Sequence, residues 1–417
     1  MRHRRTASGL LFSAAPAGLA LLLALTSCHE KPEHLIGGDN SVDYGHPISL
    51  SAYMPPNDQN DIGFVLIADT HLDQSYAGLI PGHDHEGRDT DDAFRNRKVI
   101  SVINWRWEHN EYGPLLGVVH LGDMIDSKGT CQNIISYRQW WERDYALGTR
   151  PAIAGADDDD GWAYNTSGHR CELPVFPGEG NHDVVNYGSG QRNLAAYYVD
   201  DLIHNTSVGN HSWYAHPGDY ISGYCWRWGR FFCVQLGLCG DASSCQRDNY
   251  SYTDKLEWLQ SVLASGAGDS LPVIIFQHYG WDNSGSQSFW SADSRRRMLN
   301  VLCNRPIDDT TTLQWNPPYN VVAIFSGHTH QQYQPIRVFA CTYWSDVFFD
   351  NMVLGAAGKT DTTGRFGFSV CRAWSHVDGY GKIRCDSVIV YNESFSSYSQ
   401  PDGFACDTVR VPDLHHW

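Results

Sequence analysis

Basic side chains are scarce in this chain: its 417 residues carry 30 Lys and Arg against 47 Asp and Glu, a formal net charge of −17. A surface so acidic argues against nucleic acid as a partner, because phosphate backbones are held by excess positive charge. Any phosphate-bearing ligand must be drawn by a local positive site, which bound metal ions would supply. Acidic residues are missing altogether from the first 27 positions, where a basic "MRHRR" precedes the apolar "GLLFSAAPAGLALLLAL". That arrangement is an export signal rather than part of a fold. Pro16 interrupts the apolar run and a polar chain follows it, which weakens a membrane-anchor reading. Loss of Arg2, Arg4 and Arg5 with the signal leaves 27 basic against 47 acidic residues, a charge of about −20. No internal repeat is found.

Core-forming residues are not lacking. A hydrophobic share of 42%, with 13% aromatics, is enough for a substantial core and excludes a disordered chain. The signal ends in "LTSC", which resembles a bacterial lipobox and would make Cys28 the lipidated first residue of the mature chain. The expected location is therefore the cell envelope, by lipid anchor, with plain secretion as the alternative. An exported chain with 12 cysteines is expected to contain disulfides. If Cys28 is lipidated, eleven remain and at least one thiol stays free.

Residues 28–60 are polar and punctuated by Pro and Gly, and read as a tether and entry segment to a domain over 61–417. Five apolar runs follow: "IGFVLIADTH", "YGPLLGVVHLGDMID", "CELPVFPGEGNHD", "LPVIIFQHYG" and "YNVVAIFSGHTH". Each stops at a cluster of Gly, Asp, Asn or His. This is the layout of an α/β sheet whose site lies at one edge, where strand ends deliver side chains. Helices are expected in "TDDAFRNRKVISVINWRWEHN", "YTDKLEWLQSVLASG" and "SADSRRRMLNVLCN", and a hairpin around Trp228-Gly229-Arg230. From about residue 336 the chain reads as mostly β. The polar stretches 73–92 and 148–171 read as insertions, with His83, His85 and Asp157 to Asp160 as solvated surface residues.

The strand-end clusters, in order, are Asp69-Thr70-His71, Gly122-Asp123, Gly180-Asn181-His182-Asp183, His278, and Gly327-His328-Thr329-His330. In an extended segment residues i and i+2 share a face, so His328 and His330 can converge on one point. Imidazole is the commonest nitrogen ligand of zinc, iron and related metals. Each cluster is a weak signal alone; His120, one strand position before Gly122-Asp123, carries no assigned role. The five in order are specific. Together they resemble the calcineurin-like metallophosphoesterase superfamily, whose pattern is DxH, GD, GNH[DE], a lone His and GHxH, over residues 61 to 335.

The resemblance implies an α/β fold, a two-sheet α/β/β/α sandwich with loop insertions, and a dinuclear metal-dependent phosphoesterase. Two ions about 3.5–4 Å apart would acidify a bridging water and clamp the phosphoryl oxygens for in-line displacement. By the same resemblance the first ion takes Asp69, His71 and His330, the second takes Asn181, His278 and His328, and Asp123 bridges. His182 would sit over the phosphoryl group as transition-state stabiliser or acid, with Asp183 fixing its tautomer. Purple acid phosphatases have a tyrosine three residues after the bridging Asp; here that position is Asp126, so no tyrosinate-iron chromophore is expected and the metals are Mn, Fe or Zn. A metallo-β-lactamase-like HxHxDH is ruled out by Gln331 and Gln332. The substrate is expected to be a small phosphate ester or phospholipid headgroup, with diesters favoured, a phosphomonoesterase as the alternative, and a non-catalytic surface binder as the rival from another class. Tyr279, Trp281 and Trp290 either shape a substrate pocket or pack loops.

Overall fold

Strand β1 (Asp61–Ile67) is buried from its second residue onwards and forms the spine of the first sheet. The computed structural model describes residues 54–72, 91–125, 137, 140–141, 170–184, 223–237, 252–264, 271–280, 290–310, 319–328, 334–339, 348–353, 357 and 365–396. Beside β1 on one edge run two short parallel strands, β2 (Val118–His120) and β3 (Val175–Phe176). On its other edge β1 pairs antiparallel with the long β10 (Arg365–Val377), which pairs in turn with β11 (Ile383–Ser396). The order β11-β10-β1-β2-β3 thus joins the start of the domain to its C-terminal part.

The second sheet has the order β4-β5-β6-β7-β9-β8. Strands β4 (Tyr224–Trp228) and β5 (Phe231–Leu236) form the expected hairpin, turning at Gly229 with φ of 56°. A Cβ at Gly229 would collide with the carbonyl of Gln59, so glycine is required there for conformation and for space. Strands β6 (Val273–Tyr279), β7 (Val321–Gly327) and β9 (Phe348–Val353) continue in parallel from β5, and β8 (Gln334–Phe339) closes the edge antiparallel to β9.

Alternation along the strands sorts the apolar residues into two layers. Trp226, Trp228, Ile274, Phe276, Ala323 and Phe325 join Phe64 and Phe176 in the core between the sheets. Phe64 meets Trp228, Phe276 and Phe325 with ring centroids 5.4, 5.7 and 6.2 Å away. Burying such a ring is worth roughly 1.5–3 kcal/mol before these aromatic contacts are added. Val234, Val273, Ile275 and Ile324 point the other way and pack on helices α3 (Tyr252–Ala264) and α4 (Ala292–Leu302). Helix α1 (Asp91–Glu108) lays Val99, Ile100, Val102 and Ile103 against the first sheet. The result is the expected α/β/β/α sandwich.

Two of these helices end alike. Asn110 (φ 52°) and Asn304 (φ 55°) adopt the left-handed conformation just past α1 and α4. The Glu111 N–H donates to Arg106 O and the Asn110 N–H to Trp107 O; Arg305 and Asn304 repeat this with Asn300 and Val301. Asparagine here fills the role that glycine more often takes in a helix-terminating Schellman motif. At its start α4 is capped by the Ser291 side chain, which accepts from the Ser294 N–H. Cys233, Cys303, Cys371 and Cys385 are free thiols, and the Cys171 thiol donates to Leu173 O. Cys28, Cys131, Cys239, Cys245, Cys341 and Cys406 fall outside the described residues, as do His83, His85 and Asp157 to Asp160.

Candidate metal centre

The parallel pairing of β1 and β2 does not stop with the strands. Beyond them the Asp69 N–H donates to Gly122 O, the His71 N–H to Asp123 O and the Leu72 N–H to Met124 O, at 3.0–3.1 Å. Asp69, His71 and Asp123, with φ of 53°, 45° and 56°, are all left-handed. So is His328, at 74°, immediately after β7. Such a backbone costs a non-glycine residue roughly 1–2 kcal/mol and persists where the surroundings over-determine it, most often at functional sites. Four of the expected ligand positions carry this strain.

The side chains converge. His278 Nε2 lies 3.2 Å from Asp123 Oδ2, 3.2 Å from Asn181 Oδ1 and 3.2 Å from His328 Nδ1. His278 Nδ1 is 3.1 Å from Leu121 O, and because a carbonyl only accepts, this nitrogen carries a proton. Its Nε2 is then turned to the other three. That is the arrangement of a metal-binding histidine oriented by a backbone carbonyl. The same oxygen of Asp123 faces two further histidines: His71 Nε2 is 3.5 Å from Oδ2 and 3.9 Å from Asp69 Oδ1, and His182 Nε2 is 4.0 Å from Asp123 Oδ2. Two groups, His71 with Asp123 and His182, and Asp123 with His278 and His328, each bring their ligand atoms within 4.8 Å of one another. Asp123 belongs to both, as a bridging carboxylate should.

Electrostatics show how strongly the cluster demands positive charge. Burial pushes the Asp123 carboxyl up, but His278, His71 and His182 outweigh it and hold it well below the carboxylate range. Burial pushes His278 down, and the carboxylates of Asp123, Asp69 and Asp183 reverse that and lift it to about 9. Buried oxygen and nitrogen donors that recruit protons in this way fit metal cations, and a mixed N/O set suits Mn, Fe or Zn. The Tyr279 ring lies tilted against that of His328, with centroids 4.3 Å apart, so it packs against an expected ligand. Trp290 is buried in the helix-side core. His330, Asp126 and Trp281 lie outside the described residues.

One expected role needs correction. Asp183 is fully buried and its carboxylate accepts the backbone N–H groups of Gly180 and Met124 on Oδ2 and of Ile125 on Oδ1. Its hydrogen bonds tie the Asn181–Val184 turn (α2) to the loop after β2; they do not reach the His182 ring. Neighbouring in sequence put the two side chains on different sides of a helical turn. His182 is held instead through its backbone N–H, which donates to Asp123 Oδ1 at 2.9 Å, and its ring meets His71 edge-on at 4.5 Å. Its side chain remains 30% exposed, against 1% or 2% for His71, Asp123 and His278.

His120, given no role from sequence, is a fully buried anchor. Its Nδ1 accepts the Gly122 N–H at 3.1 Å, and Nε2 faces Thr70 Oγ1 at 3.0 Å. Burial drives its pKa down to about 3, against the raising influence of Asp69 and Asp123. The folded state thus keeps the ring neutral where an unfolded imidazole would charge. The stability it contributes is complete above about pH 6.5 and falls as pH drops from there towards 3, by a few kcal/mol in all. Urea unfolding of metal-free protein between pH 7 and 4 should show a smaller acid loss for His120→Gln than for the wild type.

Gly122 has φ of 111°, and a Cβ there would stand 2.7 Å from Gly180 N and 2.7 Å from His278 Nδ1. Gly122→Ala should therefore cost roughly 2–5 kcal/mol in thermal or urea unfolding and displace His278 from the cluster. A metal titration of the variant reads the second effect.

The calcineurin-like phosphoesterase family model matches residues 62–332. Among solved structures, a dimetal phosphatase from Danio rerio is similar at 17% identity and a TM-score of 0.45, over 85% of this chain and 99% of that one. A purple acid phosphatase from yellow lupin (Lupinus luteus) seeds is similar at 13% identity and 0.41, over 84% of this chain and 58% of its own. A putative 5'-nucleotidase from Staphylococcus aureus follows at 13% and 0.38, over 79% and 54%. No curated protein matches the sequence significantly.

Proposed function

This chain belongs to the calcineurin-like phosphoesterase family, whose members are metal-dependent hydrolases of phosphate esters, and from that premise we propose that it cleaves small phosphodiesters at the cell envelope. Asp69, His71, Asp123 and His330 would hold the first metal ion, and Asp123, Asn181, His278 and His328 the second. The observation that carries this reading is the meeting of Asp123 Oδ2, Asn181 Oδ1 and His328 Nδ1 around His278 Nε2, each at 3.2 Å. Ions bound there supply an acidified water as nucleophile and positive charge for the phosphoryl oxygens.

The chain's own residues do the rest. His182, whose side chain is 30% exposed against 2% for His71 and 1% for His278, holds a proton at Nε2 for the departing oxygen. Its backbone hydrogen bond to Asp123 Oδ1 keeps that acid in register with the bridging carboxylate. Asp183 fixes the turn beneath both through three backbone N–H groups. Diesters are favoured on charge: a diester brings one negative charge and a monoester close to two, towards a mature chain with 27 basic against 47 acidic residues.

A lipid on Cys28, at the end of the "LTSC" motif, would hold the chain at the envelope. Mass analysis of the mature N-terminus tests the lipid directly. For the reaction, the mature chain is stripped of metal, reloaded with Mn, Zn or Fe, and assayed on a chromogenic diester and its matching monoester. A metal-dependent preference for the diester is expected. Faster monoester turnover would make it a phosphatase, and two bound metals without turnover on either would favour a binding protein.

A further inference from the structure

We propose that Thr70 and His120, neither of them a metal ligand, form a clamp that positions the Asp69–His71 pair against Asp123 and so sets the affinity of the centre for its metals. The inference rests on the ligand assignment above. Thr70 sits between two left-handed residues, Asp69 and His71, and faces a third, Asp123, across the paired loops. Backbone bonds join the loops, but a strained segment flanked by such residues needs side chains to over-determine it. Thr70 and His120 provide them.

The polarity of the clamp follows from its fixed members. The Gly122 N–H donates to His120 Nδ1, so the proton of the neutral ring is on Nε2 and points to Thr70 Oγ1. The Thr70 hydroxyl, having accepted that proton, donates its own to Met124 O at 2.7 Å. The donors run one way, from His120 through Thr70 to Met124 O, which also accepts the Leu72 N–H, and that direction cannot be reversed while Gly122 and Met124 hold their places. The Thr70 carbonyl accepts from Asn96 Nδ2 at 2.9 Å, and Asn96 Oδ1 accepts the Trp141 indole N–H at 3.1 Å. Helix α1 is thereby linked to the metal-facing loop. On the far side the ring of Tyr137 meets His120 edge-on, with centroids 5.6 Å apart. Thr70, His120, Asn96 and Trp141 are all buried, so the clamp works without competition from water.

Residues that orient metal ligands from behind typically change metal affinity by about 10–100-fold when altered. Equilibrium dialysis of the full chain against Mn should show Thr70→Val binding more weakly by an amount in that range. Thr70→Ser, which keeps the hydroxyl, should stay close to the wild type. Thr70→Val is nearly isosteric, so a hydroxyl that served stability alone would lower the melting temperature and leave Mn affinity unchanged; that result overturns the proposal. His120→Leu removes the other half and should reproduce the loss, with the double variant no weaker than the worse single one. Losses that multiply would show two independent effects, and would equally overturn it.

If neither variant folds, the wild-type chain with labelled histidine is read by NMR. The His120 Nε2–H resonance should shift when Mn-free protein takes up Zn, and an unmoved resonance contradicts the clamp. Asp123→Asn serves as the control on the ligand assignment. If it binds metal like the wild type, that assignment has failed; if it loses metal while Thr70→Val does not, the clamp alone has failed.

Discussion

Asp123→Asn should lower turnover by about three orders of magnitude and release metal from the protein, two losses from one exchange. The asparagine has the same shape, so the loss isolates charge. In the wild type one carboxylate lies 3.5 Å from His71 and 3.2 Å from His278 through Oδ2, while Oδ1 accepts the His182 N–H. An amide cannot serve two cations from one oxygen, and its NH2 would face the imidazole that must also ligate. Several kcal/mol of transition-state stabilisation depend on the metals, and each 1.36 kcal/mol is a tenfold change in rate. Metal analysis beside a rate assay checks both parts. A variant that keeps two ions and near-normal turnover would remove Asp123 from the bridge.

His182→Ala should behave differently: both metals stay bound and kcat falls by about 10²–10⁴-fold, the range of a lost general acid. The loss should be smallest for substrates with good leaving groups, because a weakly basic oxygen departs without a proton. A series of aryl and alkyl esters, plotted as rate against leaving-group pKa, should therefore steepen in the variant. The His182 side chain is 30% exposed and its Nε2 lies 4.0 Å from Asp123 Oδ2, at the edge of the cluster where a departing oxygen would pass. It also lies near His71 and Asp123, within reach of the first metal position. If the alanine variant loses an ion, with no change in leaving-group dependence, His182 is a ligand and the acid must be sought elsewhere.

The site was legible because its residues sit where a local pattern changes. An apolar run followed by Asp, Asn or His marks β1, β2, β6 and β7, and the structure places Asp69, Asp123, His278 and His328 at those ends. Helix α4 and the β4–β5 hairpin were similarly visible through caps, turn residues and period. What was hidden depends on partners far away in sequence. β3 is only two residues long, defined by pairing rather than propensity. Nothing local in "RFGFSVCRAWSHV" says that it lies antiparallel to β1, some 300 residues earlier. Asp183 was misassigned for the same reason. Adjacency to His182 suggested a contact, whereas two of its backbone partners, Met124 and Ile125, lie 59 and 58 residues away. His120 carried no signal at all: a histidine inside a strand reads as core, and only the loop it faces reveals what it holds.

The most direct test of the whole account is the metal stoichiometry of the full chain before and after loss of one ligand. Purified wild-type protein, dialysed against Mn and analysed per chain, should hold two ions, and Asn181→Ala one, with hydrolysis of phosphate esters lost alongside the second ion. A single ion in the wild type, or two ions and full activity in the Asn181→Ala protein, would contradict the two-metal centre.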